Sequence, residues 1–326
     1  MSQKLIALPG GTGTIGRTIL RALLAHAQYK PIILSRATAN KTNGSCSITT
    51  FPESPIPPIE TRYVDYASTT SLTTALTGID TVISTLLIPG PEWVTYQLNL
   101  LHASIAAGVR RLAPSEFALS QKAHHEVDID AGKIIVWNEV KRAVAEGKID
   151  AAAFPVGMFM NYLAIGIHDT EKEREALAGF GEGPLMFHLG DELGPWIEVP
   201  VTETGAYPEI TMTDIRDVGR FVVAALGFEE PWGGRELGIA GDTRSIGDVV
   251  DGIRGVLGEV DVRKLSREDL ERRLEGLEEG DILERMEVQY MMACGRGGSV
   301  VDGVLNRLCP EIKPTSIPDF VRKYWS

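Results

Sequence analysis

Residues 5–20 read LIALPGGTGTIGRTIL: an apolar run, a cluster of four glycines, and a second apolar run at helical spacing. The stretch 10–16, GGTGTIG, fits G-x-G-x-x-G through Gly11, Gly13 and Gly16, and G-x-x-G-x-x-G through Gly10, Gly13 and Gly16. Between a strand and a helix at the head of a βαβ unit, this pattern predicts a tight turn whose first glycines take backbone angles closed to other residues. Gly13 leaves the backbone bare enough for a pyrophosphate to approach, and Gly16 lets helix and strand pack closely. The N–H groups of the turn, those of Thr12, Thr14 and Ile15 included, together with the positive helix end then face the phosphates. The alternative is a plain glycine turn without a ligand.

The pattern around the turn is consistent with this. Over the first 160 residues, apolar strand-like segments (KLIALP, PIILSR, TRYVDY, DTVISTLL, RRLAPSEF, AAAFPVGMF) alternate with helical ones (RTILRALLAH, STTSLTTALTGI, the run after PGPEW, AGKIIVWNEVKRAVAEG). Strands joined by helical crossovers must run parallel, which predicts an α/β, doubly wound parallel sheet. Ser68 is placed to cap the second helix. Residues 37–60, rich in Ser, Thr, Pro and Asn, read as a long loop. Beyond residue 160 the pattern loosens into short strands (MFHLGD, WIEVPV, EITMTD) and three clear helices, with Asp214 and Ser266 as caps. A smaller C-terminal α+β lobe is therefore expected. The division falls near 155, giving a nucleotide-binding domain at 1–155 and a substrate lobe at 156–326, with a later strand returning to the sheet near 207–212.

Composition excludes several classes of partner. Formal charge is −12 with no basic stripe, which argues against nucleic acid and anionic membrane. The longest apolar runs are far short of a membrane span, and the N-terminus lacks the long apolar core of a signal peptide. Cys46, Cys294 and Cys309 are odd in number and widely spaced, as expected for reduced thiols in a cytoplasmic protein; no metal site is expected. The expected partner is a small aromatic or unsaturated molecule, bound by a monomer or homodimer.

The end of the second strand selects the dinucleotide. A carboxylate there, about twenty residues past the glycines, would bond the ribose 2′-hydroxyl of NAD. This chain has Ser35 and Arg36 instead. A guanidinium pairs with a 2′-phosphate and stacks on adenine, and a hydroxyl can donate to it, so NADP(H) is the predicted cofactor. Lys41 is placed to help. Arg36 as a plain solvated charge is the alternative. Asp65, ending the third strand, is read either at the adenine edge or as a cap.

The reacting end should lie beyond the carboxyl ends of the strands. That directs attention to 84–90, 113–119 and 155–163, and so to Thr85, Leu86, Pro155 and Gly157 around the cofactor. Ser115 and Phe117 are read around the substrate; Met158, Phe159, Met160 and Tyr162 either line an apolar pocket for an aromatic ring or form an ordinary core seam. Asn161 is read as orienting a substrate oxygen or capping a turn, and Trp137 as a pocket wall or a core residue. His188 and Trp196 lie in the second lobe, where the sequence does not decide whether they close over the substrate. No tyrosine has a lysine four residues later, so a Tyr-x-x-x-Lys proton donor is absent: Tyr96 is followed by Leu100 and Tyr162 by Gly166. Lys133, at the start of AGKIIVWNEVKRA, remains. Desolvation and the positive helix end would both lower its pKa, as proton exchange near neutrality requires. The same amine can bond the nicotinamide ribose. A surface or salt-bridged lysine is the alternative.

Taken in order and spacing, GGTGTIG, LSR, VIST, PSEFA, the Lys133 helix with its VKRAV, and GMFMNYL resemble the NmrA-like and isoflavone-reductase-like group of atypical short-chain dehydrogenases. The tail IPDFVRKYW resembles that of fungal members. The resemblance implies a Rossmann-type NADPH domain, a small C-terminal substrate lobe, and reduction of phenolic, α,β-unsaturated or benzylic substrates by one lysine, which here is Lys133. One departure stands out. In the plant enzymes the lysine lies one turn before an Arg-Arg-like pair; here Trp137 holds that place before Lys141–Arg142, and Lys133 lies two turns back.

Three functions fit these residues: an NADPH-dependent reductase of a conjugated or phenolic molecule, a non-catalytic dinucleotide sensor acting through a partner protein, or an isomerase or dehydratase with a structural cofactor.

Overall fold

A computed structural model describes residues 3–37, 42–51, 56–88 and 90–326. The chain forms two compact units: Met1–Phe117, Gly132–Phe154 and Val218–Leu237 make the first, and Ala118–Ala131, Pro155–Asp217 and Gly238–Ser326 the second. The expected single division at 155 is thus more complex. The chain enters the second unit early, at 118–131, and returns to the first at 218–237.

The first unit is built on one eight-stranded sheet. Its strands are β1 (Lys4–Pro9), β2 (Tyr29–Arg36), β3 (Cys46–Thr49), β4 (Ile59–Val64), β5 (Thr81–Ile83), β6 (Arg111–Ala113), β7 (Asp150–Ala153) and a later pair, Arg235–Glu236. In space the order is Arg235–Glu236, β7, β6, β5, β1, β2, β4, β3, parallel throughout except for β3 against β4. The chain winds outward from β1 in both directions, so the sheet is doubly wound and of Rossmann type, with its switch point between β1 and β5. Helices α1 (Thr14–Leu24), α2 (Thr69–Ala75), α3 (Glu92–Ala106) and α4 (Ala131–Ala145) make the crossovers. α1 buries Gly16, Thr18, Ile19, Leu20 and Leu23, a stripe at helical spacing. Ser68 caps α2 by accepting the Ser71 N–H at 3.2 Å. The core joins sheet residues such as Ala7, Ile32, Leu34, Val82 and Leu112 to helix residues such as Leu72, Leu100, Val136 and Trp137.

Two features depart from the sequence expectation. β3 lies inside the stretch read as loop. It is an edge strand whose more buried face carries only hydroxyls, and hydroxyl pairs tie it to β4: Ser47 Oγ to Tyr63 Oη at 2.8 Å and Thr49 Oγ1 to Thr61 Oγ1 at 2.6 Å. The strand that rejoins the large sheet is Arg235–Glu236, not 207–212. A buried ion pair sets up that return. The Arg111 guanidinium bonds Asp150 at 2.9 Å and donates to the carbonyls of Phe228 at 3.0 Å and Glu230 at 2.8 Å. Asp150 also accepts the N–H groups of Trp232 and Gly233 at 2.9 and 2.8 Å.

In the second unit, Glu209–Thr213 pairs with Met158–Phe159 and with Asp242–Ser245 in one three-stranded sheet. A second joins Phe187–His188, Trp196–Pro200 and Asp261–Leu265. Their inner faces share a core with the helices Ile246–Leu257 and Ile317–Trp325. Asp214 and Ser266 act as the caps their positions predict: Asp214 accepts the Arg216 N–H at 2.8 Å, and Ser266 forms a capping box with Asp269. Burial pushes the Cys294 thiol up to about 11, whereas Cys46 is exposed. A maleimide at mildly alkaline pH is therefore expected to label Cys46 in the folded protein and to reach Cys294 only on unfolding. Peptide mapping of the labelled chain checks this.

Candidate active site

The glycine turn is closed by short backbone bonds. The Gly11 N–H reaches the Leu8 carbonyl at 3.0 Å, and the Gly13 N–H reaches the Gly10 carbonyl at 2.9 Å. Gly10 has φ +78°, and a Cβ there would stand 2.7 Å from the Thr85 carbonyl oxygen. On Gly16 it would stand 2.4 Å from the Gly10 carbonyl oxygen. Both positions therefore need glycine, one for backbone angle and space, the other for space alone. Gly11 is enclosed by Leu8 and Ile33, while Gly13 meets only the Gly10 carbonyl oxygen, at 3.3 Å. Thr12 is exposed, and Thr14 and Ile15 are half-buried. Among the described residues no side chain caps α1, and its own first turn holds no acidic residue. An anion at this helix end would meet N–H donors and no carboxylate of that turn.

Three further segments surround the turn. Thr85 follows β5, and its N–H and hydroxyl both donate to the Pro9 carbonyl, at 2.8 and 3.1 Å. Leu86 beside it is buried, and its carbonyl accepts the indole N–H of Trp93 at 2.9 Å. Ser35 and exposed Arg36 end β2, next to β1 in the sheet. Arg36 lies near enough to Tyr66 to act against the burial that raises that phenol's pKa. Lys41 lies outside the described residues. Asp65 accepts the Ala67 N–H at 2.9 Å in the turn ahead of α2, whose cap is Ser68. Sequence reasoning missed Arg17. Its guanidinium donates to the Thr12 carbonyl at 2.7 Å and lies 5.4 Å from the Phe51 ring centroid, adding a cation to the turn. Its place directly after Gly16 was the available signal.

Lys133 is the third residue of α4 and is half-buried in its first turn. Ser115 is half-buried just past β6. Phe117 is buried and stacked on Phe154, with centroids 6.2 Å apart and planes 10° apart. Trp137 is buried among the core residues of the sheet and its helices, as the packing reading of it expects. These residues belong to the first unit.

The remaining predicted positions lie in the second unit. The Pro155 carbonyl accepts the Ile239 N–H at 2.9 Å. Gly157 has φ +71°, and a Cβ there would meet the Thr211 carbonyl oxygen at 2.4 Å; this glycine lets two strands approach each other. Met158 is buried opposite Met212. Phe159 and Tyr162 both meet the edge of Phe180, at 5.8 and 4.7 Å, and the Tyr162 hydroxyl donates to Glu182. Burial, with the Glu182 carboxylate beside it, raises the Tyr162 phenol far above its ordinary pKa. Asn161 is fully buried; its amide donates to the Ala176 carbonyl at 2.8 Å and accepts the Ile215 N–H at 3.0 Å. Both ends are committed to backbone, so it holds turns together and does not orient a substrate. His188 and Trp196 stack face to face at 3.6 Å, with Arg263 4.3 Å from the indole centroid.

A doubly wound sheet with a glycine turn at its first crossover is shared by many families. The family model for NmrA-like proteins matches residues 2–290. The chain belongs to the NmrA-like family. Among its relatives is an oxidoreductase, BOA1, of Botryotinia fuckeliana, 27% identical over 78% of this chain and 76% of its own. A bifunctional pinoresinol-lariciresinol reductase of Sinopodophyllum hexandrum is 23% identical over 99% of this chain and all of its own, 100%. Among solved structures, AtPrR2 with NADP+ and (+)pinoresinol superposes with a TM-score of 0.71 at 16% identity, covering 99% of both chains. For this NmrA-like chain that last likeness carries the fold.

Proposed function

We propose that this NmrA-like chain is an NADPH-dependent reductase of a small conjugated or phenolic molecule. One observation carries the cofactor. The turn at 10–16 is a cradle that a Cβ at Gly10 or Gly16 would fill, and the strand beside it ends in Ser35–Arg36 without a carboxylate. Gly10–Gly16 and the uncapped start of α1 would hold the pyrophosphate. Arg36, with Ser35, would hold the 2′-phosphate, and Thr85 and Leu86 would wall the other half. Bound NADPH supplies a hydride from C4 of its nicotinamide.

The protein's own task is orientation and proton control. Hydride addition to an electrophilic carbon leaves an anion on the substrate, and Lys133 delivers the balancing proton from its ammonium, directly or through one water. Ser115 and Phe117, at the same strand ends, supply surface suited to an aromatic ring. Three free thiols suit a reducing compartment, in keeping with a cytoplasmic enzyme, and no helix among the described residues is long and apolar enough to cross a membrane.

The test is NADPH consumption with a panel of quinones, enones and benzylic ethers. Turnover of at least one class, lost on Lys133→Ala with NADPH binding retained, supports the reading. Tight NADP(H) binding with no oxidation across the panel supports the sensor instead.

A further inference from the structure

Trp93 touches both segments of the proposed site that flank the nicotinamide end. It is the second residue of α3 and is buried. Its indole N–H holds the Leu86 carbonyl at 2.9 Å. The other side of the same ring faces Gly132, where a Cβ would lie 3.6 Å from Cε3 and 3.8 Å from Cζ3. Gly132 immediately precedes Lys133. It needs glycine for space alone: a Cβ would strike Val94 Cγ2 at 2.8 Å, and a β-branched residue in a helix has little rotamer freedom to withdraw. One turn further along α3, on the same face, the Gln97 amide donates to Ser84 Oγ at 3.0 Å. The helix thus pins the segment 84–86 at two points while its first turn is packed against the backbone under Lys133.

We propose that Trp93 is a positioning residue: its rigid ring sets the spacing between the Thr85–Leu86 wall and the Lys133 amine. The inference rests on the reading of Leu86 as cofactor wall and Lys133 as the acting amine. It makes the two halves of the ring separable. Trp93→Phe removes the bond to Leu86 and keeps most of the packing. Gly132→Ala leaves that bond in place and pushes the first turn of α4 away from α3.

The test measures NADPH affinity by titration, and the rate of trace acetylation of Lys133 with and without NADPH by peptide mass spectrometry. In the unaltered protein NADPH should slow acetylation of Lys133. Trp93→Phe should weaken NADPH roughly tenfold, the size of one lost hydrogen bond. Gly132→Ala should bind NADPH as before yet lose the protection of Lys133. A merely structural role would move affinity, protection and melting temperature together in both variants, and that outcome overturns the proposal, as does full protection retained in Gly132→Ala. The function reading is judged separately, on the unaltered protein: no binding, or binding without protection, sinks that reading and this inference with it.

Discussion

Replacing Lys133 with alanine is expected to lower turnover by about 10²–10⁴-fold, the span attributed to a positioned proton donor. The expectation follows from what the chain lacks and where the amine sits. No tyrosine is followed by a lysine at the fourth position, so the usual phenol donor has no counterpart. Tyr162, the one tyrosine placed among the substrate residues, donates its hydroxyl hydrogen bond to Glu182 and is held far above its ordinary pKa by burial. Lys133 is half-buried in the first turn of α4, where Gly132 packs on Trp93 and Val94. A lysine at such a place lies outside the main core, so truncation should cost about 1 kcal/mol of stability or less. Steady-state rates with a responsive substrate, beside NADPH titration and thermal melting, separate these effects. Loss of rate with intact binding and folding is the expected result. Unchanged rate would remove Lys133 from the chemistry.

Replacing Arg111 with methionine is expected to destabilise the protein by about 3–5 kcal/mol, because it strands a charge built to be paired. Arg111 is 1% exposed, and its guanidinium satisfies Asp150 together with two carbonyls of the 228–230 turn. It also lies 5.0 Å from the centroid of Trp232, itself packed edge-on against Phe154. Without the cation, Asp150 keeps its two backbone N–H donors but loses its countercharge, and the carbonyls lose their donors. The segment that carries Arg235–Glu236 to the sheet edge would then detach most readily. Urea unfolding should show the loss, with a melting temperature lower by roughly 10 °C. The double variant Arg111→Met with Asp150→Leu should recover part of it, since removing both partners leaves no orphaned charge. A loss below about 1 kcal/mol would contradict this account of the return strand.

Much of the first unit was legible because its constraints are local. A parallel strand buried on both faces is a short apolar run, a crossover helix has a striped face, and Gly10 and Gly16 occupy positions where the neighbouring backbone leaves no room for a side chain. Arg36 could be placed because it ends a recognisable strand. What escaped was held by long-range polar contacts. β3 is fixed by hydroxyl pairs to β4, and a Ser/Thr-rich edge strand has the composition of a loop. Arg235–Glu236 is two residues long and depends on an ion pair formed far earlier in the chain. Trp137 and Asn161 looked functional because large or polar residues near a cleft often are. Both are consumed by packing and backbone bonds that no sequence pattern announces. Trp93 had the opposite fate: an aromatic at a helix start reads as core, and its contacts on two sides emerge only from the fold.

The central claim is that the glycine turn and Arg36 together accept the reduced dinucleotide that carries a 2′-phosphate. Calorimetric titration of NADPH and NADH into the protein and into Arg36→Ala tests it most directly. The account predicts NADPH bound more tightly than NADH, and a loss of about 1.5–3 kcal/mol for NADPH alone in the variant, the scale of one charge-assisted contact. Equal loss for both dinucleotides, or no heat from either with the unaltered protein, would contradict it.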